Sequence, residues 1–133
     1  MKTKNKAYKV LIVEDELNLQ KAIGDKIQRE GWQSLVASNG EEGLRMAMTE
    51  NPDIVLLDII MPIMDGMTML KELRKVSKVP VLILTNLYDE KKLIEAFRGG
   101  SFDYLVKSNY SLNEVVEKIK EALPEARFHE ATC

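Results

Sequence analysis

Four short apolar runs, set apart along the chain by stretches of helical period, constrain what this sequence can fold into more than any other feature. Tyr8–Val13, Asp53–Leu57, Val79–Leu84 and Phe102–Val106 are nearly continuous in Val, Ile and Leu. A strand with one wet face alternates apolar and polar residues, so a continuous run means that both faces are covered, as in a parallel sheet between two layers of helix. A fifth segment, Trp32–Ala37, is more mixed and predicts an edge strand.

Helical period fills the gaps. Leu19, Ala22, Ile23 and Ile27 keep one face ahead of Gly31, a C-terminal cap. Asn39 with Glu42 reads as a capping box that opens a second helix through Leu44, Ala47 and Met48, and Asn51-Pro52 ends it. A third helix runs from about Asp65 through Leu70 and Leu73 to Val76. The fourth, from about Asp89 to Arg98, carries Leu93, Ile94 and Phe97 and stops at Gly99-Gly100. Ser111 and Glu114 form another capping box before the repeat Leu112, Val115, Val116, Ile119 and Leu123, which Pro124 closes. Buried strands joined by helical crossovers are parallel, so five such units predict a doubly wound α/β domain, a five-stranded parallel sheet with helices on both faces. One domain is expected over residues 1–124, its core at about 8–123, with a short tail at 125–133; a chain of 133 residues is long enough to bury a single core.

Charge and cysteine content act by exclusion. A formal net charge of -2 supplies no electrostatic reason for direct contact with nucleic acid or a membrane surface, and neither partner is expected. The basic start is followed by only four apolar residues, Val10–Val13, too few for a signal-peptide core, and no run approaches the roughly 18 apolar residues of a transmembrane helix. Cys133, the single cysteine, has no partner for an internal disulfide, which fits a reducing compartment and a cytoplasmic location.

Ligands of an open parallel sheet bind beyond the carboxyl ends of its strands, near the point where strand order reverses. The first strand ends in Glu14-Asp15, the third in Asp58, the fourth in Thr85 and the fifth in Lys107. Three carboxylates, a hydroxyl and an ammonium therefore converge on one edge. Taken singly, each has a plainer explanation: Glu14 and Asp15 as first-turn charges of a helix, Asp58 as a turn former before Pro62, Thr85 as a strand residue, Lys107 as a solvated cation. Taken together they suit phosphoryl chemistry. Mg²⁺ prefers oxygen ligands from one or two carboxylates with phosphate and water, a carboxylate nucleophile forms an aspartyl-phosphate, and Lys107 with the metal would neutralise the transferring group.

At this point the sequence resembles the receiver family of response regulators along about Tyr8 to Leu123. The run Leu57-Asp58-Ile59-Ile60-Met61-Pro62-Ile63-Met64-Asp65-Gly66 resembles the family's phosphorylation signature, Val13-Glu14-Asp15-Glu16 its metal-binding acidic pair, and Asp103-Tyr104-Leu105-Val106-Lys107 its final strand with aromatic switch residue and lysine. The resemblance implies a flavodoxin-like strand order 2-1-3-4-5, with Asp58 as phosphoacceptor. It also implies Mg²⁺ held by Glu14, Asp15, Asp58 and the backbone carbonyl of Ile60, and Thr85, Tyr104 and Lys107 as phosphoryl-binding and switch residues. A histidine kinase or phosphotransfer protein would donate the phosphoryl group, and an output protein or domain would read the surface of the fourth helix, fifth strand and fifth helix. Such a chain is a signalling phosphoacceptor rather than an enzyme, catalysing only its own phosphorylation and dephosphorylation. Two positions depart from the family pattern: Ser108 stands where proline usually follows the lysine, and Asn86 where a small residue usually follows the threonine. Ile60, two residues past the acceptor, cannot orient an attacking water, which predicts a long-lived phosphoryl group.

Two other functions compete. A small Mg²⁺-dependent phosphatase of the haloacid-dehalogenase type would also use an aspartate on a parallel sheet, but it typically carries a second aspartate two residues on, where this chain has Ile60. A receiver-like scaffold without phosphorylation would lack acceptor, acidic pair or lysine, and all are present. Elsewhere, Met61, Met64, Met67 and Met69 read as core filler ahead of a soft partner surface, Trp32 as edge packing, and His129 as neither catalytic nor metal-bound.

Overall fold

The structure, a computed structural model, describes residues 8–59, 63–85, 91, 94–95, 98–100, 103–106 and 111–123. Its strands are β1 (Lys9–Val13), β2 (Gln33–Ala37), β3 (Ile54–Leu57), β4 (Val81–Thr85) and β5 (Asp103–Val106). All pair in parallel, in one sheet of order β2-β1-β3-β4-β5. The mixed segment thus forms the edge strand, and β1 and β3, neighbours in space though not in sequence, flank the point where the order reverses.

Both faces of the sheet are covered, which is why its three inner strands, β1, β3 and β4, are almost wholly apolar. Alternate side chains Leu11, Val13, Val55, Leu57, Val81 and Ile83 pack on one side with Ala47 of α2 (Gly40–Glu50) and with Met69, Leu70 and Leu73 of α3 (Gly66–Arg74). Val10, Ile12, Ile54, Leu56, Leu82 and Leu84 face the other way, against Ile23 and Ile27 of α1 (Leu17–Arg29) and Val115 and Ile119 of the C-terminal helix (Leu112–Ala122). Full burial of each such side chain contributes about 1.5–3 kcal/mol before chain entropy is counted. Of the fourth predicted helix, residues 91, 94–95 and 98 are helical; Leu93 and Phe97 lie outside the described residues, and Ile94 is exposed rather than part of the core. Among the described residues no helix is long and apolar enough to cross a membrane.

Element ends follow local chemistry. Gly31 leaves α1 with φ of 86°, and Asn51 leaves α2 in the left-handed region. The Ser111–Glu114 capping box is complete, with both hydrogen bonds made. That at Asn39 is not: its side chain accepts from Glu42 N at 2.8 Å, but the Glu42 carboxylate reaches one residue further back, to Ser38 N at 2.8 Å. The third helix stops at Arg74 instead of Val76, because Val76 N donates to Leu73 O and its last turn tightens. Arg74 then ties this end to the turn before β5, Nη2 and Nε donating to Gly100 O at 2.6 and 3.2 Å and Nη1 to Ser77 O at 3.3 Å. Burial lowers its pKa from the ordinary arginine value, yet guanidinium remains charged in proteins.

Three of the four signature methionines lie within the described residues, and all three are core: Met69 is fully buried, Met64 and Met67 partly so against the same cluster. Tyr8 and Trp32 meet edge-on, ring centroids 6.1 Å apart, so Trp32 is packing rather than a stacking platform.

Candidate functional site

Register alone brings two of the predicted carboxylates side by side. Val13 on β1 pairs with Leu57 on β3, so the residues that follow, Glu14 and Asp58, leave the sheet together at the switch point. Backbone bonds hold both: Asp58 N donates to Val13 O and Glu14 N to Ala37 O, each at 3.0 Å. Glu14 is 1% and Asp58 4% exposed, while Asp15 faces solvent. One carboxylate oxygen from each of Glu14, Asp15 and Asp58 lies within 4.8 Å of the others.

Glu14 also holds the residue that precedes the next helix. Glu16 precedes α1 without a capping side chain of its own, and Glu14 Oε2 accepts from its N–H at 2.9 Å. The plainer roles foreseen for Glu14 and Asp15, helix cap or first-turn charge, are not taken up, since α1 has no acidic residue in its first turn and Glu14 bonds the N–H of the residue before the helix. That bond does not preclude metal binding, since a carboxylate has about four lone-pair sites.

The loop carrying Asp58 is seated by two glycines. Gly66 N donates to Ile59 O at 2.7 Å, and a Cβ at Gly66 would lie 2.3 Å from Asp58 O. Gly40 N, opening α2, donates to Met64 O at 2.9 Å, and a Cβ there would lie 2.2 Å from that oxygen. Asp65 caps α3, its Oδ1 accepting from Thr68 N at 2.8 Å. Between these anchors Ile63 takes φ of 69°, a conformation uncommon for a β-branched residue.

The donor set suits Mg²⁺. Its ligands are hard oxygens at about 2.0–2.1 Å in an octahedron, so ligand atoms stand roughly 3 Å apart at right angles and roughly 4 Å across the ion. Side-chain adjustments of about 1–2 Å bring three oxygens within 4.8 Å of one another onto one such ion. Among the described residues this is the one group of three or more His, Cys, Asp or Glu side chains able to hold a metal.

The other predicted residues are placed in part. Thr85 ends β4 opposite Val106, and Tyr104 lies in β5 opposite Ile83, so the backbones of both are at the same end of the sheet as the carboxylates. Ile60, Lys107, Asn86 and Ser108 lie outside the described residues. Sequence reasoning missed one member of the neighbourhood, Gln20 of α1, which is buried and whose Nε2 donates to Glu14 O and, at 3.2 Å, to Ser38 Oγ. A polar residue between the core positions Leu19 and Ile23 was the available signal.

The response regulator receiver domain is the family whose profile matches, over residues 10–120, and the chain belongs to it. Its place is thus among the response regulators of two-component systems. It is 40% identical over 115 residues to the probable transcriptional regulator ycf27 of Guillardia theta, covering 86% of this chain and 45% of that protein. Identity to the transcriptional regulatory protein SrrA of Staphylococcus aureus is 36% over 114 residues, 86% of this chain and 47% of that one. The chain thus spans about half the length of these curated relatives. Among solved structures, the receiver domain of Francisella response regulator 1452 superposes with a TM-score of 0.81 at 34% identity, over 86% of this chain and 95% of that one. The BeF3-activated N-terminal receiver domain of Klebsiella pneumoniae RstA does so with a TM-score of 0.81 at 28% identity, over 86% and 97%.

Proposed function

We propose that Asp58 accepts a phosphoryl group from a histidine kinase or a phosphotransfer protein, in a Mg²⁺-dependent reaction, and that the transfer switches a partner-binding surface. The observation that carries this reading is the convergence of Glu14, Asp15 and Asp58 within 4.8 Å at the strand-order switch point, two of the three buried. A carboxylate oxygen of Asp58 attacks phosphorus, the bond to the donor's histidine nitrogen breaks with its electron pair left on that nitrogen, and an acyl phosphate forms. Mg²⁺, held by Glu14, Asp15, Asp58 and the Ile60 carbonyl, would neutralise charge on the transferring group.

Phosphorylation raises the local charge from about one negative to about two, and Lys107 and Thr85 are the groups assigned to meet it. Thr85 and Tyr104 then carry the change to the surface of the fourth predicted helix, β5 and the C-terminal helix. The catalysis is confined to the domain's own phosphorylation and dephosphorylation, and apolar Ile60 keeps the acyl phosphate long-lived. The names of the relatives, transcriptional regulators about twice as long, support an output protein or attached domain as the reader of that surface. Incubation with acetyl phosphate and Mg²⁺ should add one phosphoryl mass to the wild type and none to Asp58→Asn. Labelling that survives the substitution refutes the assignment.

A further inference from the structure

Among the described residues three polar or charged side chains are buried: Glu14, Asp58 and Gln20. The first two belong to the carboxylate cluster. Gln20 has no such part, yet it sits 6% exposed on the inner side of α1, four residues before the core residue Gly24 and three before Ile23. An amide is costly to bury unless its hydrogen bonds are made, and here they are made to specific places. Its Nε2 donates to Glu14 O and to Ser38 Oγ. A backbone carbonyl only accepts, so the amide's NH₂ must face it, and both hydrogens are used.

The carbonyl that Gln20 holds is that of the peptide joining Glu14 to Asp15, the two acidic neighbours of Asp58. Holding this peptide plane restricts the torsions on either side of it, ψ of Glu14 and φ of Asp15, and so the directions in which both side chains leave the backbone. The second partner links the same amide to the loop after β2. Ser38 follows Ala37, whose carbonyl accepts from Glu14 N at 3.0 Å, and Ser38 N donates to Glu42 Oε1 at 2.8 Å at the start of α2. Gln20 therefore joins the loop after β1 to the loop after β2, while Gly40 N to Met64 O joins the latter to the loop carrying Asp58.

We propose that Gln20 is a positioning residue for the cation site: through Glu14 O and Ser38 Oγ it presets the Glu14–Asp15 peptide, so that the acidic pair meets Asp58 ready for a divalent ion. The proposal rests on the reading of the three carboxylates as a Mg²⁺ site. Gln20 itself donates hydrogens and is not a ligand; it acts through the backbone of one. Groups that orient metal ligands in this way typically change affinity 10- to 100-fold when removed.

The test uses the full chain, with MgCl₂ titrated calorimetrically into wild type, Gln20→Met, Ser38→Ala and Ser111→Ala, well below every melting temperature. Gln20→Met keeps the size and removes both donors, so Mg²⁺ affinity should fall about tenfold or more, and the Asp15 amide nitrogen, bonded to the carbonyl that loses its donor, should shift in NMR spectra. Ser38→Ala, which removes one of the two partners, should show a smaller loss in the same direction. Ser111→Ala breaks a capping box far along the chain, so it should lower the melting temperature and leave Mg²⁺ affinity alone; that control separates positioning from general stability. Wild-type affinity in folded Gln20→Met overturns the inference while leaving the metal site intact. If Gln20→Met does not fold, wild-type affinity in Ser38→Ala overturns it. A wild type that binds no Mg²⁺ overturns both the inference and the reading beneath it.

Discussion

Replacing Asp58 by asparagine separates charge from shape at the sheet edge. Glu14 and Asp58 are both nearly fully buried, and their carboxylate oxygens lie within 4.8 Å. Two unit charges at that distance repel by about 3.5 kcal/mol at an effective dielectric of about 20. Asp15 is exposed, so its repulsion is screened and adds little. Asparagine keeps nearly the same volume without the charge. Some of the relief is offset by the weaker hydrogen bonds of a neutral amide, which leaves an expected gain of roughly 1–3 kcal/mol for Asp58→Asn in EDTA. Unfolding entropy of about 2.1 cal/mol/K per residue over 133 residues is about 0.28 kcal/mol/K, so the variant should melt roughly 4–11 °C higher than wild type.

Mg²⁺ should reverse the order of benefit. Saturation at about one hundred times the dissociation constant stabilises the wild type by about 2.7 kcal/mol, or roughly 10 °C on the same scale, and the variant, short of one anionic ligand, should gain less. Thermal scans of both proteins in EDTA and in excess MgCl₂ decide the matter. A wild type without a Mg²⁺ shift, together with a variant destabilised in EDTA, would mean that the three carboxylates share neither a repulsion nor an ion, and the chemical basis of the site would be gone even though the fold stands.

Two further outcomes follow from the loop that carries Asp58. Gly66→Ala places a Cβ 2.3 Å from Asp58 O and should cost about 1–3 kcal/mol in urea unfolding while slowing phosphorylation by acetyl phosphate; Gly24→Ala, whose Cβ meets nothing closer than 3.6 Å, should instead gain about 0.5–1 kcal/mol in the helix interior, and equal effects at the two sites would contradict the assigned clash. Ile63→Gly should stabilise the protein by up to about 1 kcal/mol, since left-handed backbone costs a side chain about 1–2 kcal/mol, glycine's freer unfolded chain returns part of that, and a side chain 75% exposed has little burial to lose; a lower urea midpoint for Ile63→Gly would show that Ile63 makes a contribution its exposure conceals.

Which of these features can be read from sequence depends on the range of the interaction. Burial of both sheet faces writes itself into consecutive residues such as Val10–Val13 and Ile54–Leu57, and one-face burial of a helix into a 3.6-residue period, so five strands, their parallel pairing and most helices are visible without coordinates. Strand ends are visible for the same reason, because Glu14 and Asp58 interrupt apolar runs. Gln20 was not, because periodicity sorts residues into apolar core and polar surface, and a buried amide is polar on the wrong side of that division. Its partners Glu14 O and Ser38 Oγ lie 6 and 18 residues away in sequence, and only the pairing of β1 with β2 brings them within reach. Ile63 was equally opaque: its left-handed backbone is imposed by anchors at Asp58, Met64 and Gly66, and nothing in an isoleucine announces it. At Asn39 the cap was legible from its own neighbours, while the choice of Ser38 N by Glu42 depends on a loop held by Gln20.

The anchors around Asp58 also give the signature run a physical cause. Asp58 N is held by Val13 O in the sheet, Ile59 O by Gly66 N, and Met64 O by Gly40 N. Each of these bonds joins backbone to backbone, so what the sequence must supply is the absence of a Cβ at 40 and 66, plus a capping carboxylate at 65 that starts α3 where it meets the Asp58 carbonyl. Asp65-Gly66 is therefore the device that seats a helix against Asp58. With its backbone tied to β1 and packed against α3, and its loop tied to α2, Asp58 is held with a carboxylate oxygen within 4.8 Å of those of Glu14 and Asp15. On the proposed reading, the buried like charges of Glu14 and Asp58 most need this hold when no cation is bound, and the two glycines and Gln20 act on that one problem.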